Sequence, residues 1–171
     1  MKYYSATGHR PATLGVSDPY DDTIKRALFI TARDFLGSDT LEPGFIFTGM
    51  ALGWDQAIAD ACIYHGIPFI ACVPFLGQER RWPKESQRRY NSLLSKAYGV
   101  INTDSVNPDS STSTVRDKLM YRNTYMVDHS EAIIALWNGT KGGTYNTLMK
   151  AKFAGMQIYN LYSQFQQNLQ I

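Results

Sequence analysis

Apolar runs of strand length alternate with amphipathic helical stretches along this chain, and two of the runs pass through glycine-rich turns into helices. Together these features predict an α/β fold with a mainly parallel sheet and helices on both faces. The clearest run is Ala132-Ile133-Ile134-Ala135-Leu136-Trp137. Six apolar residues in a row suit a strand buried on both faces, as strands of parallel sheets are. Residues 138–144 follow as a glycine-rich turn, and Thr144 has the chemistry to cap a helix over residues 145–154. That helix offers Leu148, Ala151 and Phe153 to a core. A strand, glycine turn and helix present free backbone N–H groups and a helix dipole to an anion. Gly142 and Gly143 would also serve a plain tight turn.

From the N-terminus, residues 2–6 predict a short strand and residues 7–11 a turn. Gly8 relaxes the backbone there, and Pro11 biases Arg10 away from helix. Residues 21–36 predict a helix: Ile24, Ala27, Leu28, Thr31, Ala32 and Phe35 form one stripe, Asp21 or Asp22 caps it, and Gly37 closes it. Gly44–Thr48 is the next strand. Gly49-Met50-Ala51-Leu52-Gly53 and a helix over Trp54–His65, ended by Gly66, complete a second strand–glycine–helix unit.

Residues 68–73 form another apolar strand, which leads into an aromatic and basic loop over residues 74–83. A helix over residues 84–97 places Tyr90, Leu93, Leu94 and Ala97 inward, and Val100-Ile101 suggests a short strand. Residues 102–114 are rich in Ser, Thr, Asn and Asp. A connection of that length is usually mobile or functional. A helix over residues 115–130 and a last strand over 158–162 follow, and the Gln- and Asn-rich end carries no pattern strong enough to place.

The chain's 171 residues, 44% hydrophobic and 19% charged, predict one soluble globular domain over residues 1–171. A formal net charge of +2 makes nucleic acid an unlikely partner, so a basic site must be local. The first residues are too short and polar for a signal peptide, and no run approaches the ~20 apolar residues of a membrane span. A cytoplasmic protein with no membrane partner is expected. Cys62 falls in a helix and Cys72 in a strand without ligand-type spacing, so both are expected as buried small hydrophobes in a reducing compartment. No metal and no cofactor are expected.

Ligands of open α/β sheets sit outside the carboxyl ends of the strands. That rule gathers residues 7–10, 49–53, 74–82 and 138–144 on one rim. Arg10 beside Gly8 suits a phosphate through its planar fork, or pairs with a surface carboxylate. His9 either meets a ligand or is an ordinary loop histidine. Asp55 either accepts from a ribose hydroxyl or favours the helix N-terminus by its charge. Trp54 either stacks on a base or covers the sheet. Arg80, Arg81 and Trp82 form a basic–aromatic cluster suited to a nucleotide or a single strand, or a solvated loop with Trp82 tucked inward. Asp128 and Glu131 are alternative carboxylates for chemistry, or surface acids.

Five segments resemble the SLOG superfamily of Rossmann-like proteins, most closely its YpsA-like branch, related to DprA and LOG proteins. They are Thr7-Gly8-His9-Arg10-Pro11, Thr48-Gly49-Met50-Ala51-Leu52-Gly53-Trp54-Asp55, Val73-Pro74-Phe75 with Gln78 and Trp82, Arg122-Asn123, and Gly142-Gly143-Thr144. Their order and spacing carry the resemblance, which runs from about residue 4 to about residue 154. It implies a Rossmann-like three-layer sandwich and binding or processing of nucleotides and their derivatives. The phosphoribohydrolase branch carries Pro-Gly-Gly-x-Gly-Thr-x-x-Glu with a catalytic Glu. Here Thr147 stands at the Glu position and Gly139 at the Pro, and a threonine cannot replace a carboxylate as general base.

The resulting expectation is a protein that binds a nucleotide-derived signal of the ADP-ribose or cyclic-nucleotide type, as a sensor or a sequestering protein. The expected ligand contacts are Gly8, His9, Arg10, Gly49, Met50, Trp54, Asp55, Arg80, Arg81, Arg122, Asn123, Gly142, Gly143 and Thr144. Homo-oligomerisation is expected from the resemblance. The alternatives are a hydrolase of an N-glycosidic or phosphoester bond using Asp55, Asp128 or Glu131, and a DprA-like module for single-stranded DNA.

Overall fold

The computed structural model describes residues 1–14 and 21–171. Six strands, β1 (Lys2–Gly8), β2 (Gly44–Thr48), β3 (Phe69–Val73), β4 (Gly99–Asn102), β5 (Ala132–Leu136) and β6 (Gln157–Asn160), form one sheet in the order β4-β3-β2-β1-β5-β6. Every neighbouring pair is parallel. The chain leaves β1 through β2 and β3 to β4 in one direction, then returns to lay β5 and β6 on the other side. The β1/β5 boundary is therefore a topological switch point, where loops diverge and a crevice opens.

The helices are α1 (Asp22–Leu36), α2 (Trp54–His65), α3 (Lys84–Ser95), α4 (Val115–Asp128), α5 (Gly143–Phe153) and α6 (Tyr162–Leu169). Residues from α1, α2, α3 and α6 meet Tyr4, Ala6, Ile46 and Phe69 in the larger core. On the opposite face Val127 of α4 and Leu148 and Ala151 of α5 cover Ile133 and Ala135. These are the three layers of a Rossmann-like sandwich. The alternation of a strand decides the allocation: Tyr4 and Ala6 point into the larger core, while Ser5 turns away and donates from Oγ to the carbonyl of Met126 at 2.9 Å.

Local chemistry explains most boundaries. Asp21 caps α1, its Oδ1 accepting from the N–H groups of Thr23 (2.8 Å) and Ile24 (3.1 Å). Residues 102–114 are tied down rather than loose. Two 3₁₀ turns, Thr103–Val106 and Ser110–Thr112, are fixed by Asn102 and Asn107 side chains accepting from the backbone two residues on. Lys118 reaches back to Asp104 at 2.8 Å, and Thr114 and Asp117 form a capping box.

Two expectations are corrected, and the segment without a sequence assignment is placed. Helix α5 starts before Thr144: Gly142 stands at its N-cap with no side-chain cap, so Thr144 is a first-turn residue. Phe153 is 97% exposed, because Leu148 and Ala151 already fill the inward face. The C-terminal end is helical. Leu161 and Phe165 are buried in the larger core with Leu169 packed against them, an i, i+4, i+8 stripe diluted by Gln and Asn.

Candidate functional site

A cavity of about 410 Å³ opens over the carboxyl ends of β1 and β5. Its walls come from the segment after β1, the start of α2, one face of α4 and the start of α5. Of the expected contacts it brings together Gly8, His9, Arg10, Asp55, Arg122, Asn123, Gly142, Gly143 and Thr144.

The β1 segment is fixed by its neighbours across the switch point. The His9 N–H donates to the Leu136 carbonyl at 3.1 Å. Its Nε2 lies 3.0 Å from the Asn138 N–H and 2.8 Å from Asn138 Oδ1. Burial holds the His9 pKa below its ordinary value, opposed by the Asn138 hydrogen bond. Nε2 thus faces both the N–H and the Oδ1 of Asn138, and with either nitrogen protonated the contact clips the two diverging loops together. Gly8 is a packing requirement: a Cβ there would lie 2.4 Å from Trp54 Cδ1.

Trp54 itself is fully buried and donates from Nε1 to the Ile134 carbonyl at 3.2 Å, so it anchors α2 to the sheet and is no platform for a base. Met50 is fully buried too, with φ of 61°, and does not line the cavity.

The floor is an acid and a base held out of water. Arg122, 4% exposed, donates from Nη1 to the carbonyls of Gly49 (2.6 Å) and Cys72 (3.3 Å), and from Nε to Asn123 Oδ1 (2.8 Å). Asp55, 7% exposed, accepts from the Ala51 N–H at 3.2 Å through Oδ2. Burial raises the Asp55 pKa, and the charges of Arg122 and Arg10 pull it back down. Burial likewise lowers the Arg122 pKa, opposed first by Asp55.

Gly49, expected to offer its N–H to a phosphate, is outside the cavity lining. A Cβ on it would sit 2.3 Å from Arg122 Nη1, so the missing side chain makes room for the guanidinium. Gly49→Ala is expected to lose about 1–3 kcal/mol of stability, as overpacked cores do. Urea unfolding checks this, and a midpoint equal to the parent's would show that Arg122 shifts freely.

The rim is cationic and rich in backbone donors. Gly142 (φ 153°, ψ −162°) turns the chain into α5, and its carbonyl accepts the first helical bond from Asn146 at 3.0 Å. The first-turn N–H groups of a helix have no partner within the helix, and here no side chain caps them. Arg10, Arg116 and Lys141 are exposed around this donor cluster. Arg116 and Lys141 were not singled out from sequence. The former is recoverable, since Arg116, Leu119, Met120 and Asn123 line the cavity at helical spacing on α4.

Arg80 and Arg81 lie outside the lining. Their loop acts as a brace: Gln78 Nε2 donates to the Gly49 carbonyl (3.1 Å) and to Tyr90 Oη (3.3 Å), and Trp82 sets its edge on Tyr90. The candidate carboxylates Asp128 and Glu131 are also outside. The first lies 3.9 Å from Lys150, and the second pairs with Lys2 at 2.7 Å. Thr147 donates to the Gly143 carbonyl at 2.9 Å. Among the described residues no group of three or more His, Cys, Asp or Glu side chains is placed to hold a metal, and no helix is long and apolar enough to cross a membrane.

Fold and cavity together define a Rossmann-like α/β protein with a cationic, glycine-rimmed crevice at its switch point. A profile of the YspA SLOG family matches residues 4–167, and the chain belongs to that family. The SPbeta prophage-derived protein YoqJ of Bacillus subtilis (strain 168) is 35% identical over 137 residues, spanning 72% of this chain and 80% of YoqJ. A UPF0398 protein of Bacillus cereus (strain B4264) is 27% identical over 173 aligned residues, spanning 96% of this chain and 90% of its own length. Among solved structures, DNA processing protein A (DprA) from Streptococcus pneumoniae superposes with a TM-score of 0.58 at 16% identity, covering 99% of this chain and 56% of DprA. The structural-genomics protein TM1055 gives 0.56 at 13% identity, covering 92% and 72%. At these identities the likeness is one of fold.

Proposed function

We propose that this protein captures a nucleotide or nucleotide-derived molecule, of the ADP-ribose or cyclic-nucleotide type, in the cavity over β1 and β5, and acts as a sensor or a sequestering protein. The observation that carries this reading is the convergence of the uncapped start of α5 with Arg10, Arg116 and Lys141 on one cavity. Backbone donors, a helix dipole and three cations together suit phosphate groups. Asp55 on the floor is a hydrogen-bond acceptor for a ligand hydroxyl. A prophage-derived relative fits the sequestering form, in which a nucleotide signal is withdrawn from circulation.

A hydrolase is the second reading, and Asp55 is the observation that favours it. It is the only carboxylate among the described residues lining the cavity, and burial raises its pKa as it does for general acids. Incubation with a nucleotide panel, followed by mass spectrometry of what denaturation releases, separates the two. Intact ligand supports capture, and cleaved ligand supports hydrolysis. Failure of every nucleotide to be either retained or cleaved would remove both.

Arg10→Ala is expected to weaken nucleotide binding by about 1.5–3 kcal/mol, the usual worth of a hydrogen bond to a charged group. The melting temperature should scarcely move, because Arg10 is exposed. Calorimetry showing unaltered affinity would make Arg10 a plain surface residue.

A further inference from the structure

The sheet ends at β4, and the outer side of that strand is open among the described residues. The Ile46 N–H donates to the Pro68 carbonyl at 3.2 Å, so Ile70 and Cys72 turn their backbone groups to β2. Ala71 and Val73 are left to serve β4, where Gly99 and Ile101 answer them. Val100, between these two, therefore directs its N–H and carbonyl away from the sheet, where no further strand receives them.

No gatekeeper residue blunts this edge. The segment Ala97-Tyr98-Gly99-Val100-Ile101-Asn102-Thr103 carries neither a charge nor a proline, two usual means of keeping edge strands apart. Tyr98 is 72% exposed and Val100 49% exposed, so apolar side chains flank the unpaired backbone. The cationic crevice lies over β1 and β5, two strands further in, and takes no part in this edge.

We infer that β4 is an interface for a second copy of this chain, the two strands pairing antiparallel about a two-fold axis at Val100. An edge strand that pairs with its own copy closes two open edges at once and makes the isologous contact of a C2 dimer. The backbone sets the centre: Val100 points both groups outward, so its two copies can exchange both bonds as a hydrogen-bonded antiparallel pair. Charge agrees with that register. The nearest charges on either side are Lys96 and Asp104, and antiparallel order sets each towards the opposite charge of the second copy. With only four residues in β4 the backbone bonds are few, and burial of Tyr98 and Val100 from both copies adds to them. The inference stands independently of what the crevice binds.

Sedimentation equilibrium of the full chain from about 1 µM to about 1 mM, the range over which weak interfaces form, tests it. A monomer–dimer equilibrium is expected. Proline is tolerated in an edge strand where the missing N–H faces outward, so Val100→Pro spares the bonds between β3 and β4. It removes the Val100 donor from both copies, and the dissociation constant should rise at least tenfold for two lost net hydrogen bonds. Val100→Lys alters a half-exposed side chain and sets like charges face to face across the axis. It should weaken the dimer similarly, and it reads the same interface should the proline unfold the strand. A parent that stays monomeric throughout, or that grows beyond a dimer, overturns the inference. Undiminished dimerisation in either folded variant overturns the placement of the axis at Val100.

Discussion

Arg122→Leu is expected to destabilise the fold by about 3–5 kcal/mol, the usual effect of removing one partner from a buried charge arrangement. The leucine leaves the carbonyls of Gly49 and Cys72 without the guanidinium donor, and Asp55 without the largest influence favouring its charged form. The deficit should depend on pH. A carboxyl whose pKa is raised by folding keeps its proton where the unfolded chain has released it, so its charged form detracts from stability above the unfolded value of about 3.9. Removing Arg122 pushes the Asp55 pKa further up and enlarges that penalty at neutral pH. The gap between variant and parent should therefore shrink as pH falls from 7 towards 4. Adding Asp55→Asn to Arg122→Leu should recover part of the loss at pH 7. Urea unfolding at several pH values measures all of this. A neutral-pH midpoint equal to the parent's would show that Arg122 is dispensable to the floor.

This arginine also marks the boundary of what the sequence discloses. Strand β2 and helix α2 are found at Gly44–Thr48 and Trp54–His65 as expected, because unbroken apolar periodicity and the glycines at 49, 53 and 66 set their limits locally. Helix α6 is the opposite case. Its stripe of Leu161, Phe165 and Leu169 is real, but Gln and Asn between them dilute it, and tertiary contact with the larger core decides the outcome.

The site is legible in the same uneven way. Gly8, His9, Arg10, Gly142 and Gly143 lie beside strand ends, so the rule for open α/β sheets gathers them without coordinates. Whether a glycine admits a ligand or a side chain is not local information. Gly8 serves Trp54 and Gly49 serves Arg122, and those pairs are separated by 46 and 73 positions in the chain (54 − 8 and 122 − 49). Arg80 and Arg81 show the converse. Composition makes their loop the strongest basic cluster, yet Gln78 and Trp82 fasten it to Gly49 and Tyr90, away from the cavity.

Of the crevice glycines Gly142 and Gly143 both have open surroundings, but only Gly143 also has an ordinary φ, and so it gives the sharpest test of the crevice. A Cβ there would meet no heavy atom within 4 Å, and Gly143 lies in the helical first turn, outside the residues whose φ is positive. Gly143→Ala should therefore fold like the parent, and in a helix it gains up to about 1 kcal/mol from propensity. In the proposed binding mode the same methyl would project where phosphate oxygens approach the N–H groups of α5. Nucleotide affinity is expected to fall at least tenfold while the thermal midpoint of the free protein holds or rises. Thr144→Ala provides the control: Thr144 is not the cap, so the ~1 kcal/mol stability loss of a missing cap should be absent. Gly142→Ala provides the contrast, since φ of 153° at that position strains any other residue and should lower stability by about 1 kcal/mol or more. Calorimetric titration of Gly143→Ala with the nucleotide that the parent retains decides the matter. Binding equal to the parent's would place the phosphates elsewhere than at the start of α5.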